Sequence, residues 1–274
     1  MGTFKIEAVP GSKYTAKSPD ENGRISYTPE EHSVWQDLIL RQQTAVQGVA
    51  CEAFIHGLEL LNLPNDRIPQ LAEVSAPLQA ATGWQAAAVP ALIPFITFCD
   101  LLAHKRFPCA TFIRTRDELN YLQEPDIFHE VFGHCAMLTN PSFAEFTETY
   151  GQLGLKASNA ERTYLERLYW FTVEFGLLQT DQGVRVYGGG ILSSIGETQY
   201  AMGPTPELRP FDIVDVLRTP YRIDIMQPIY YVLESIDDLF RIAHTDLFQS
   251  IRKAQQLGMF TPMFAPKEDL QPTG

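Results

Sequence analysis

The chain has 274 residues, 45% hydrophobic and 20% charged, with a formal net charge of −12. That is enough apolar material for a sizeable core and excludes intrinsic disorder. The acidic balance repels phosphate backbones and anionic headgroups, which argues against nucleic acid or a membrane surface as partner.

The opening stretch MGTFKIEAVPGSKYTAK lacks the apolar centre of a secretory signal, and no run approaches the roughly 18 to 20 apolar residues that span a bilayer. A soluble cytoplasmic protein is expected. Residues 1–26 are aperiodic and read as a flexible N-terminal arm, with residues 27–274 forming a single catalytic domain. Thr28, Pro29 and Glu31 make a helix start, and apolar residues at helical spacing extend the helix over 28–61. A second helix runs over 69–83, stopped by Gly83; a short strand follows over 84–89, a helix over 94–103 and a strand over 109–113. Helices are expected over 125–138, from 141 onward, and over 160–178. The glycine-rich alternation over 184–192 reads as a strand with tight turns, and a short helix as occupying 194–200. Extended segments over 220–226 and 228–234 precede a last helix over 236–257 capped by Ser235. The fold class is therefore mainly α with a few short β-strands.

Three clusters carry possible chemistry. In Glu124-Pro125-Asp126-Ile127-Phe128-His129-Glu130-Val131-Phe132-Gly133-His134, two histidines lie five apart. Zinc proteases use H-E-x-x-H, with spacing four on one helix face. Spacing five turns the rings roughly 140° apart on a helix of 3.6 residues per turn, so shared ligation needs a local distortion, which Gly133 eases. As a pair alone, they read equally well as ligands or as structural residues.

In Tyr169-Trp170-Phe171-Thr172-Val173-Glu174-Phe175-Gly176, Glu174 is the only charge. A buried carboxylate has to be protonated, paired or bound to metal. An ion pair with Arg114 or Arg167 satisfies that need. So does a metal shared with the two histidines, an arrangement of two histidines and one carboxylate that leaves open positions as in non-haem iron oxygenases. Gly188-Gly189-Gly190 permits close backbone approach or simply a tight turn, and lacks the lysine of a phosphate loop. Arg114 suits either a bidentate clamp on a carboxylate or a surface role. Cys51, Cys99, Cys109 and Cys135 form no CxxC pair and sit among apolar residues, as buried thiols in a reducing compartment do.

EPDIFHEVFGH, YWFTVEFGL, YGGGILSSIGE and QPIYY together resemble the pterin-dependent aromatic amino-acid hydroxylases, and among them the short bacterial phenylalanine 4-hydroxylases. The resemblance runs from about Tyr27 to about Ile251, with the motifs in order. It implies a mainly helical catalytic domain with Fe(II) in a deep cleft, a tetrahydropterin and O2, and conversion of phenylalanine to tyrosine. By position it makes His129, His134 and Glu174 the iron ligands. Arg114 and Ser193 would grip the amino-acid carboxylate, Gly190 would line that end, and Trp170, Phe175 and Pro125 would enclose the ring. Phe98 would stack on the pterin, with Glu130 and Tyr169 on the pterin side and Glu130 also catalytic.

Longer animal members carry a regulatory domain and a tetramerisation helix that find no room here, so a monomer or homodimer is expected. A pterin-recycling dehydratase is the expected functional partner. In tyrosine-specific relatives an aspartate stands at the place of Ile223, which favours phenylalanine here. Tryptophan hydroxylation at the same site and a zinc-dependent hydrolase are the alternatives.

Overall fold

The computed structural model describes residues 13–266 except 91, 121 and 123. It is mainly helical. The first helix, α1 (Pro29–Ala45), begins as expected: Thr28 Oγ1 accepts from the Glu31 amide while the Glu31 carboxylate accepts from the Thr28 amide. The helix expected over 28–61 is nevertheless two. Gly48 takes the left-handed conformation at φ +70°, and α2 (Glu52–Leu61) starts anew. The break has a tertiary cause. Cys51 donates its amide to the Val186 carbonyl and Val186 donates to Val49, so backbone groups that a continuous helix would use are committed to a distant strand.

After α3 (Leu71–Thr82), closed by left-handed Gly83, two parallel strands form a small sheet: β1 (Gln85–Val89) and β2 (Arg106–Ala110), with α4 (Phe95–Ala103) as the crossover. Strand β2 lies three residues earlier than the 109–113 expected. Its register, from Gln85 opposite Arg106 to Val89 opposite Ala110, uses up the partner strand. Residues 111–114 therefore leave the sheet and carry Arg114 inward.

The segment expected as a helix over 125–138 is a π-helix, His129–Cys135, followed by one 3₁₀ turn, Met137–Thr139. Asn140 caps α5 (Pro141–Lys156), and Ser158 forms a capping box at α6 (Asn159–Tyr169). The helix expected over 160–178 ends early: a second π-helical turn, Trp170–Glu174, replaces its last part. Strands β3 (Leu177–Thr180) and β4 (Gly183–Val186) then make a hairpin, leading into α7 (Gly189–Leu192) and α8 (Ile195–Ala201). The sequence pattern did not foretell β3, β5 (Glu207–Pro210) or α9 (Ile213–Arg218). With β6 (Ile229–Leu233) they complete a sheet of order β4-β3-β6-β5. The segment 220–226 is irregular, not extended. The final helix splits into α10 (Asp237–Ala243) and α11 (Leu247–Leu257), because the Asp246 side chain accepts from the Gln249 amide and starts a new N-terminus.

One continuous buried cluster runs from Ile25 to Ala254 and includes Trp35, Phe54, Trp84, Phe128, Phe132 and Tyr231. Its rings interlock: Phe128 stacks on Phe132 at 5.1 Å, and Trp35 meets Phe128 edge-on at 5.5 Å. All four cysteines are buried free thiols. Among the described residues, no helix is long and apolar enough to cross a membrane. The arm expected to be loose is tied down from Lys13 onward. Tyr14 stacks on Phe112 at 4.4 Å and donates to Glu118, and the Lys17 amide donates to Thr111 Oγ1. The first twelve residues of that arm lie outside the described residues.

Candidate metal centre and its aromatic surroundings

The two π-helical turns are what bring the site together. An i→i+5 helix places residues five apart nearly above one another, where an α-helix would splay them. In the first turn the pair is His129 and His134, whose ring centroids are 4.7 Å apart. In the second, the Phe175 amide donates to the Trp170 carbonyl five residues back, and those two rings lie 4.4 Å apart. Glu174 sits in the same turn and reaches the histidine pair.

The donor geometry is that of a metal site. His129 Nε2 and His134 Nε2 are 3.0 Å apart; Glu174 Oε1 is 3.3 Å from the His134 nitrogen and Oε2 3.7 Å from the His129 nitrogen. Two donors each about 2.1 Å from one ion and at right angles to each other stand about 3.0 Å apart. Two neutral imidazoles and one carboxylate on one face are also the donor chemistry that suits iron(II). The residues therefore fit the ion. His134 is fully buried, while the His129 and Glu174 side chains keep 18% and 17% of their surface exposed, so access is from their side of the cluster.

A second carboxyl, Glu130, also comes within 4.8 Å of both ring nitrogens. The two carboxyls are shifted in opposite directions. Burial pushes the Glu130 carboxyl well up, and the Cys109 thiol, Glu174 and Asp126 push it the same way. Burial also acts on Glu174, but the histidines beside it, His134 first, hold its carboxyl below the usual range. Burial, opposed by Glu174, pushes His129 down to about 4, which keeps its ring neutral at pH 7.

The glycine run is packed against these ligands. A Cβ on Gly189 would lie 2.4 Å from His134 Nδ1 and Cε1, and one on Gly133 would lie 2.7 Å from the Gly189 carbonyl oxygen. Gly190 borders Glu174 and Phe175, where a Cβ would meet Glu174 Oε2 at 3.1 Å. The close approach is thus to the ligand side chains themselves. Ser193, just past α7, puts Oγ 2.8 Å from His129 Nδ1 and fixes that ring.

Arg114 is neither a surface arginine nor the partner of Glu174. It is buried and held in a two-pronged pair with Asp126: Nε donates to Oδ2 at 2.8 Å and Nη2 to Oδ1 at 2.9 Å. Asp126 also accepts the amides of Arg114 and His129, so one carboxylate orients both the arginine and a candidate ligand. Burial pushes the Asp126 carboxyl up, but Arg114 outweighs it and the group stays below its ordinary range. Both side-chain contacts to Asp126 are made by Nε and Nη2. Local sequence pattern does not single out Asp126 as a site residue; its place three residues before His129 is the available sign.

The aromatic wall is larger than the sequence suggested. Trp170 packs tilted against Phe175 at 4.4 Å and stacks on Tyr221 at 4.5 Å, and its Nε1 donates to Gln227 Oε1. Pro125 is half-buried beside Asp126. Phe98, on α4, meets Tyr169 edge-on at 5.3 Å, so the two residues expected on the pterin side do adjoin. Ile223 lies in the irregular segment after α9, 68% exposed.

Comparison with known proteins agrees with this geometry. A family model for biopterin-dependent aromatic amino acid hydroxylases matches residues 8–257. A phenylalanine-4-hydroxylase from Pseudomonas aeruginosa is 56% identical over 94% of this chain and 98% of its own length. The structure of the cold-active phenylalanine hydroxylase from Colwellia psychrerythraea superposes with a TM-score of 0.89 at 55% identity, covering 91% of this chain and 97% of that one. A phenylalanine hydroxylase from Chromobacterium violaceum, solved with iron(III) and 7,8-dihydrobiopterin bound, gives 0.82 at 41% identity over 92% and 91% of the two chains. With a match over nearly its whole length and the ligand geometry intact, the chain belongs to the biopterin-dependent aromatic amino acid hydroxylases.

Proposed function

We propose that this chain is a phenylalanine 4-monooxygenase that forms tyrosine, with Fe(II) held by His129, His134 and Glu174. The observation that carries the reading is the convergence of two imidazole nitrogens and one carboxylate within 3.0–3.7 Å beside an aromatic wall. When bound, the iron and a tetrahydropterin supply the electrons that let O2 deliver one oxygen atom to the aromatic ring.

The protein's own residues bind, orient and exclude water. Trp170 and Phe175 offer a flat apolar surface for the substrate ring, with Pro125 at its edge. Arg114, stiffened by Asp126, binds the substrate carboxylate, and Gly190 leaves room at that end. Ser193 keeps the His129 ring in place by its contact with Nδ1. Phe98 and Tyr169 form the pterin side, where Glu130 stands as the acid–base group. A cytoplasmic location, a monomeric or homodimeric state and a pterin-recycling dehydratase as metabolic partner belong to the same proposal.

The test is turnover by Fe(II)-loaded protein with O2, a tetrahydropterin and each aromatic amino acid in turn. Tyrosine formed from phenylalanine, dependent on iron and pterin, is expected. Faster turnover of tryptophan would reassign the substrate, and product formed with zinc and no pterin would overturn the oxygenase reading.

A further inference from the structure

The aromatic wall is backed from the outside by an irregular segment of the chain. Tyr221, which stacks on Trp170, belongs to an irregular stretch between α9 and β6. Inward, that stretch is tied by the Tyr221 stack and by Gln227, whose Nε2 donates to the Arg222 and Ile225 carbonyls while its Oε1 takes the Trp170 Nε1 proton. Outward it is poorly packed. Ile223 is 68% and Met226 44% exposed, and a groove of about 540 Å³ separates Tyr221–Asp224 from Phe264 and Pro266.

Two arginines bridge this stretch to the chain beyond α11. Arg222 grips Asp224 with Nε and Nη2, both at 2.9 Å, and sends Nη1 2.9 Å to the Ala265 carbonyl. Arg218, at the end of α9, donates Nε to the Gly258 carbonyl at 2.7 Å and stacks over Phe260 at 4.1 Å, and the Phe260 amide returns a bond to the Arg218 carbonyl. A guanidinium can hold a carboxylate and a carbonyl at once because its donors point in fixed directions.

We infer that residues 258–266 are a strap, and that Arg218 and Arg222 are positioning residues which, through the strap, hold Tyr221 against Trp170 and so set the substrate-ring wall. The inference rests on the reading that Trp170 and Phe175 receive the substrate ring. Among the described residues this stretch has no regular structure and little outer packing, so its anchors hold it in place, and small displacements of a binding wall have large effects on productive binding.

Full-length Arg222→Ala and Arg218→Ala proteins test it. Trp35 and Trp84 are fully buried, so Trp170 is the tryptophan whose emission reports on the wall. Each variant is expected to shift Trp170 emission and raise the KM for phenylalanine about tenfold, while iron content and the KM for pterin stay unchanged. Arg222→Lys, which keeps the charge but loses the fork, is expected to restore only part of the affinity. Should Arg218→Ala fail to fold, Arg222→Ala carries the test, since Arg222 lies outside any helix or strand. Unchanged phenylalanine KM in the folded variants, with Trp170→Ala raising it, overturns the strap alone. An unchanged KM in Trp170→Ala as well overturns the reading of the wall. Equal rises in both KM values together with lost iron overturn the positioning role, because the anchors would then serve general stability.

Discussion

The backbone of Gly189 lies flat against the ring of His134, so close that a Cβ there would stand 2.4 Å from Nδ1. The His134 ring is fully buried between this glycine and Phe107, whose ring centroid is 5.2 Å away, so it has nowhere to retreat. Gly189→Ala is therefore expected to push His134 out of line, with an overpacking cost of about 1–3 kcal/mol. The purified variant should contain little iron and melt several degrees lower. Normal iron content would mean that α7 can shift instead.

Ser193 acts on the other histidine. Its Oγ is the side-chain partner of His129 Nδ1, and the partners of metal-bound imidazoles commonly contribute on the order of 10- to 100-fold in metal affinity. Ser193→Ala should weaken Fe(II) binding within that range and leave the fold intact. A competitive metal titration reads this directly, and unchanged affinity would show that packing alone orients the ring.

Arg114→Ala should be costly twice over. It leaves Asp126 buried without its cation, which costs about 3–5 kcal/mol, and it removes the proposed carboxylate clamp. Thermal melts should show the first effect, and a strong rise in the KM for phenylalanine the second. The pair also has a pH signature. Asp126 sits below its unfolded value of about 3.9, so its contribution is present above that pH and is lost as pH falls toward its folded value. An Asp126→Asn protein should thus be less stable at pH 7 but lose less stability on acidification than the parent.

Glu197 titrates in the opposite sense. Burial pushes its carboxyl up to about 7, and the Tyr230 hydroxyl, which donates to Oε2 at 3.0 Å, offsets only part of that. A raised carboxyl contributes most stability below its unfolded value of about 4.3 and loses it as pH rises through 7. Glu197→Gln, which cannot ionise, is expected to gain in melting temperature relative to the parent between pH 5 and pH 8. A constant difference across that range would show that Glu197 is already charged at pH 5.

Chain order and local chemistry were enough to give the helical class, the cap at Thr28, and the identity of His129, His134 and Glu174 as a possible ligand set. Those features follow from near neighbours: a capping side chain bonds three residues away, and a single charge in an apolar decapeptide needs a partner wherever the chain goes. The five-residue histidine spacing already required a distortion. Only the folded chain decided that it is a π-helix, that the same winding recurs at Trp170–Phe175, and that Gly189 presses on His134 from a helix more than fifty residues away. Only the tertiary structure could pair Arg114 with Asp126 rather than Glu174, end α1 early by giving the Val49 and Cys51 backbones to Val186, and bring the chain beyond α11 against Arg218 and Arg222. Each of these depends on contacts between segments far apart in sequence, which local periodicity does not encode.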